Sequence, residues 1–254
     1  MSLTGLHAHQ RFAALAHLIS VVCTVLAVVV VNYMIYTVRW QFAELHPEYV
    51  IIQPATISRA ISDPLIGNPF AMWMLICAPM LFVSELIMFG SFIRELKRAG
   101  VIPSARVQKI GRVTAIVITL QGLASTGMIL LSQFRFPEYN DMHMFGSYLF
   151  FFSQAFAIFT MAFLSRCYDR LAPLPGTPLP VMGRIRLSLI AVPLLLSVFY
   201  LGLFLIKESI SDPWRDLVYQ TYVTVELLLC SSFLVYLLAW VPDSLLAART
   251  YLRF

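Results

Sequence analysis

Residues 12–36 read FAALAHLISVVCTVLAVVVVNYMIY, a stretch with no Asp, Glu, Lys or Arg. As a helix it rises about 37 Å at 1.5 Å per residue, enough to cross a hydrocarbon layer of roughly 30 Å. A removable signal peptide is shorter and closes on a small-x-small cleavage site, which does not follow here. The stretch therefore reads as a membrane span, and the rest of the chain repeats the pattern.

Five more runs have this character: Pro69–Ile93 with one acid, Glu85; Val113–Leu131; Met144–Leu164; Leu187–Ile206, interrupted by Pro193; and Tyr219–Trp240 with one acid, Glu226. Of the 254 residues 59% are hydrophobic and 12% charged, about half the charged share of a soluble domain. Two soluble domains would lack polar surface, and disorder requires the opposite composition. Membrane strands would be about 10 residues long with period-2 alternation. The expected fold is an all-α, polytopic membrane protein, one six-helix bundle over residues 1–254. Its spans fall near 12–36, 69–93, 113–131, 144–164, 187–206 and 219–240, and its longest connection is 37–68. Pro79 and Pro193 are expected to kink their helices.

Charge sets the expected topology. Of the 18 Lys and Arg residues, 13 fall in the two ends and in connections 94–112 and 165–186, Arg186 and Arg253 among them. Arg39, Arg59, Arg135, Lys207 and Arg215 fall on the other side, with acids such as Glu44, Asp63, Asp141 and Asp212. The positive-inside rule then puts both termini in the cytoplasm. The net charge of +5 reads as a basic belt against anionic headgroups, with no nucleic-acid partner. A multi-pass protein of this kind belongs in an endomembrane or plasma membrane if eukaryotic, and in the inner membrane if bacterial.

Little else narrows the chemistry. Cys23, Cys77, Cys167 and Cys230 have no CxxC spacing, so neither a disulfide framework nor a zinc site is expected. There is no Walker loop, GxSxG, HExxH or dinucleotide fingerprint. A bis-histidine haem would need His17 and His143 at one iron, yet their depths differ by roughly 20 Å. No cofactor and no metal are implied. Trp40, Trp73, Trp214 and Trp240 fall near span ends, as in an interfacial belt. The run Phe150–Phe152 reads as lipid-facing or packing.

Ionisable groups inside spans are costly and therefore candidates for function. Glu85 and Gln121 each lie about 12 Å from the cytoplasmic ends of their helices. They are placed to hydrogen-bond across helices, as interhelical glue or as a working pair. Glu226 lies about 10 Å from the outer end of the sixth span. The outer connections bring Thr56, Ser58, Arg59, Ser62 and Asp63 after the first span, and Asn140, Asp141 and His143 before the fourth. An acid, a histidine and a cation gathered there could bind a headgroup or run general acid–base chemistry. The structural alternative makes Asn140 or Asp141 an N-cap and leaves His143 at the interface.

Three motifs occur in order: PATISRAIS at Pro54–Ser62, YNDMHMFGSYLFF before the fourth span, and VELLLC around Glu226, followed by AW-x-P-D at Ala239–Asp243. Together they resemble the Frag/DRAM/Sfk superfamily, which includes GPI-anchor remodelling factors and the N-terminal domain of a yeast cell-wall protein acting on GPI lipids. The resemblance covers nearly the whole chain and implies six helices with cytoplasmic termini. It matches Ser58 and Ser62 to the first-loop motif, His143 to a histidine opening the fourth helix, and Glu226 to an acid in the sixth. Gln121 stands where relatives often carry an acid, Glu85 stands where none is expected, and Arg59 lies inside the motif.

The reading that follows is a lipid-handling membrane protein, for GPI or related lipid remodelling. Ser58, Arg59, Ser62, Asp63 and Asn140 would bind the headgroup. Any chemistry would be acyl transfer or hydrolysis, with His143 as base, Glu226 or Asp141 as its orienting or acid partner, and Ser58 as the best nucleophile available. Two alternatives stand beside it. One is a non-enzymatic scaffold recruiting a protein partner through its basic cytoplasmic loops. The other is a small-solute transporter with Glu85 as proton relay.

Overall fold

The structure, a computed structural model, describes residues 3–100, 102–171, 177–178, 180–211 and 213–252. Asp212 and Arg253, counted above among the charges of the two sides, lie outside them.

The described elements are all helices. In chain order they are α1 (Leu3–Leu45), α2 (Pro47–Ile52), α3 (Ile57–Ala60), α4 (Pro64–Ala99) and α5 (Ser104–Gln133), then α6 (Asn140–Asp169), α7 (Pro180–Leu189), α8 (Ala191–Ile206), α9 (Arg215–Leu238) and α10 (Val241–Leu252). Six segments are long and apolar enough to cross a membrane, so the chain is a multi-pass integral membrane protein.

The helices outrun the apolar stretches that announced them. α1 continues nine residues past Tyr36, and α4 starts five before Pro69. Hydropathy marks only the length inside hydrocarbon, whereas backbone hydrogen bonding continues beyond it. The expected 37–68 connection therefore shrinks to α2, α3 and their joints. α4 opens on Asp63, whose side chain accepts from the Leu65 amide at 2.8 Å, with Pro64 in the first turn. It runs through Pro79 and stops at Gly100, whose φ of 65° suits a left-handed cap. Pro193 acts more strongly. It cannot donate to the Leu189 carbonyl, and the fifth span divides at Ile190 into α7 and α8.

Helix pairs are joined by small and polar residues, as expected where lipid supplies no hydrophobic drive between helices. Between α1 and α4, Ser20 donates to the Ser84 carbonyl at 2.8 Å and Thr24 to Ser84 Oγ at 2.9 Å. Between α5 and α6, Gly127 meets Gly146. A Cβ on Gly127 would lie 2.4 Å from the Phe150 amide nitrogen, and one on Gly146 would lie 2.7 Å from the Leu131 nitrogen. Only glycine lets these backbones approach so closely.

At the opposite end from α2 and α3 lies a buried ion pair that corrects two expectations. Arg186, counted as a loop cation, is in α7 and 0% exposed. It pairs with Asp243, donates to Ser165 Oγ at 2.8 Å and reaches the Ala239 carbonyl left free at the end of α9. Its guanidinium lies 3.8 Å from the centre of the Trp240 ring. Trp240, expected in the interfacial belt, is 1% exposed and packs edge-on against Phe89. Trp40 and Trp214 do face outward.

Arg186→Met should remove the buried cation that pairs with Asp243 and cost about 3–5 kcal/mol, read as a lower Tm in detergent. Arg186→Met with Asp243→Leu should recover most of that; an equal loss in the double variant would show that the pair is not the source. Gly146→Val should cost about 1–3 kcal/mol by overpacking, and Gly111→Val, where a Cβ meets nothing within 4 Å, should not.

Candidate functional site

The first-loop motif folds as a small capped unit. Thr56 is the N-cap of α3 and accepts from the Arg59 amide at 3.1 Å. Ser62 donates to the Arg59 carbonyl at 2.7 Å, and Asp63 caps α4. Ile57, Ala60 and Ile61 anchor the turn in the core. Thr56, Ser58 and Arg59 line a cavity of about 720 Å³. Ser62 and Asp63, expected in the headgroup site, do not line it. They shape the turn that presents their neighbours.

His143 and Glu226 come to this unit from opposite sides. His143, expected as the base of the outer site or, in the structural alternative, at the interface, is 2% exposed, one turn inside α6. Its Nδ1 lies 2.9 Å from the Leu131 carbonyl and 3.0 Å from that of Phe134. Both belong to the end of α5, where carbonyls have lost their intrahelical donors. Carbonyls only accept, so Nδ1 carries the proton. Nε2 of the neutral ring is then the acceptor, and the Ser58 hydroxyl donates to it at 2.8 Å. Glu226, 4% exposed, accepts from the Ile57 amide at 3.0 Å and so holds the residue before Ser58. Arg39 on α1 lies within electrostatic reach of Glu226.

The other expected residues separate. Asn140 lines the cavity, but the cap position of α6 is Tyr139, whose side chain makes no capping bond. Asp141 is exposed in the first turn of α6, where its charge complements the helix dipole. Glu226 or Asp141 is the expected partner of His143; the groups that bond its Nδ1 are the Leu131 and Phe134 carbonyls. Glu85 and Gln121 make no bond to each other. Both Glu85 oxygens and Gln121 Nε2 lack hydrogen-bond partners among the described residues. One residue earlier, Ser84 bonds in a different direction, to Ser20 and Thr24 of α1.

Several lining residues gave no signal beforehand. Lys207 closes α8 over the Phe204 and Tyr222 rings and pairs with exposed Glu208, a contact of little energetic weight. Tyr200 and Tyr222 stack at 5.0 Å between centroids and share a hydrogen bond. Phe151 and Phe152 are cavity wall and not simple packing. Below the polar head the cavity is aromatic and aliphatic, along α6 to Phe159 and along α8 to Leu194.

A bundle of lipid-spanning helices around a polar-headed apolar cavity defines a polytopic membrane protein with an amphipathic cavity. A family model described as the Frag1/DRAM/Sfk1/Cwh43P N-terminal domain matches residues 10–243, and the chain belongs to that family. No curated protein and no solved structure matches it.

The turn carrying Ser58 should respond to acid. His46 Nε2 donates to Asp63 Oδ2 at 2.8 Å, and this bond, aided by the Leu65 and Ile66 amides, holds the Asp63 carboxyl below its ordinary value of 3.8. A depressed carboxylate contributes stability that is full above its unfolded value and lost as pH falls through the folded one. Exchange of the Leu65 and Gly67 amides should therefore quicken as pH drops below 3.8, beyond the intrinsic trend. Asp63→Asn should remove that excess.

Proposed function

We propose that the protein binds a membrane lipid taken from the side, its headgroup at Ser58, Arg59, Lys207 and Glu226 and its chains along α6 and α8. The observation that carries this is the cavity itself. Its volume of about 720 Å³ is that of a small-molecule site. Its length fits a lipid: His143 to Phe159 spans 16 residues of α6, about 24 Å, more than the roughly 15 Å of one hydrocarbon leaflet. Its apolar walls open outward, with Phe156 60% and Val198 72% exposed although both line it. An enclosed aqueous site would not be built with such residues on its rim.

The two cations fit an anionic headgroup. Arg59 lies 4.9 Å over the Tyr49 ring, and Lys207 caps the other side. On the positive-inside reading this end faces the outer or lumenal leaflet. The resemblance to the remodelling branch makes a GPI or related lipid the occupant to look for first.

Ala155 lines the apolar part of the cavity, and a large ring there should fill it. Native mass spectrometry of the protein released from lipid nanodiscs should show a bound lipid in the wild type and in Ala155→Ser. Occupancy in Ala155→Trp should fall at least tenfold, with helical content unchanged. Equal lipid occupancy in all three proteins would overturn this reading, and the mass of the retained lipid identifies its class.

A further inference from the structure

We infer that Ser58 and His143 form a nucleophile–base dyad that takes the acyl chain of a bound lipid ester as a covalent acyl-serine. This rests on the lipid-binding reading and assigns chemistry to the same cavity.

The geometry has the three parts such a dyad requires. The nucleophile and base are within hydrogen-bond reach, 2.8 Å from Ser58 Oγ to His143 Nε2. The base is held in the correct tautomer, since the Leu131 and Phe134 carbonyls fix the proton on Nδ1. The nucleophile faces the substrate space, for Ser58 lines the cavity among its polar residues, alongside the apolar ones of α6 and α8. In a diacyl lipid the ester groups lie between headgroup and chains, within reach of such a polar end. Glu226 is a positioning residue here, holding the Ile57 amide next to Ser58. Arg59 Nε, buried and without a hydrogen-bond partner among the described residues, is the cation nearest in sequence to a developing oxyanion.

The step balances without a further reagent. Ser58 Oγ bonds to the ester carbonyl carbon while its proton passes to His143 Nε2. The tetrahedral adduct collapses, the bond from carbon to the glycerol oxygen breaks, and Nε2 returns the proton to that oxygen. The products are acyl-Ser58 and a lysolipid. A second hydroxyl, from another lysolipid or from water, then gives its proton to Nε2 and attacks the acyl carbon, freeing Ser58. A lysolipid acceptor makes the result acyl exchange; water makes it hydrolysis.

The test uses the full chain in nanodiscs holding a diacyl glycerophospholipid with deuterated chains, quenched in acid. Intact mass should rise by the deuterated acyl group replacing one hydrogen, and peptide mapping should place it on Ser58. Lysolipid should appear in parallel, and added unlabelled lysolipid should become acylated if exchange operates. Ser58→Ala should lose both adduct and lysolipid. His143→Gln, which keeps a donor toward the two carbonyls, should slow acylation about 10²–10⁴-fold. Bound lipid with neither adduct nor lysolipid, or lysolipid release undiminished in Ser58→Ala, would overturn the dyad and leave the binding reading intact. A wild type that retains no lipid would overturn both.

Discussion

Hydrocarbon offers no hydrogen bonds, so polar groups on the spans are stabilised by partners inside the protein, although the Glu85 carboxyl and Gln121 Nε2 have none among the described residues. Each joint of the bundle answers that demand differently. Ser20, Thr24 and Ser84 spend their hydroxyls on one another between α1 and α4. Arg186 and Asp243 answer it with full charges, completed by Ser165 and the Ala239 carbonyl. Such a pair offsets its desolvation only because nearly every position around it is satisfied. At the other end the same demand builds the candidate site. The free carbonyls closing α5 take His143 Nδ1, and the Ile57 amide takes Glu226.

This gives the site an economy of cause. Gly127 and Gly146 bring α5 and α6 together, and the Gly146 backbone then lies against Leu131. One turn before Gly146 stands His143, which that approach carries to the Leu131 carbonyl. The helix contact and the histidine tautomer are therefore one feature. Orientation by carbonyls differs from orientation by a carboxylate. It fixes which nitrogen holds the proton, but adds no full charge to stabilise an imidazolium.

What the sequence could say divides along the same lines. The six spans were legible because a bilayer imposes a length and a composition on each. His143, Glu226 and Ser58 were legible as candidates because polar residues near span ends are few. Their gathering at one end was expected from the connections, but the individual bonds were not, since these depend on where the α2–α3 turn lies across the bundle. Asp63 and Ser62 carried the same local signal as Ser58 and Arg59, and only the turn's geometry separates capping from lining. Arg186 was misread for a related reason: a cation near a span end is ordinarily solvated, and its partner Asp243 lies 57 residues away. The aromatic wall was illegible because Phe151 and Phe159 look the same whether lipid or a cavity faces them.

Glu85 bears on how a ligand enters. It lines a cavity of about 10 Å³ with Ser20, Thr24, Trp240 and Ser244, the size of a single water molecule. No residue lining that cavity also lines the large one. Fully buried Ile158, Met161 and Phe233 belong to the core cluster that joins these helices. A solute relay from Glu226 to Glu85 would need a polar chain through that core. The large cavity instead borders on outward-facing Phe152, Phe156 and Val198. Its open side faces the surround of the bundle and not the small cavity at Glu85, which is the arrangement the lipid-binding proposal rests on.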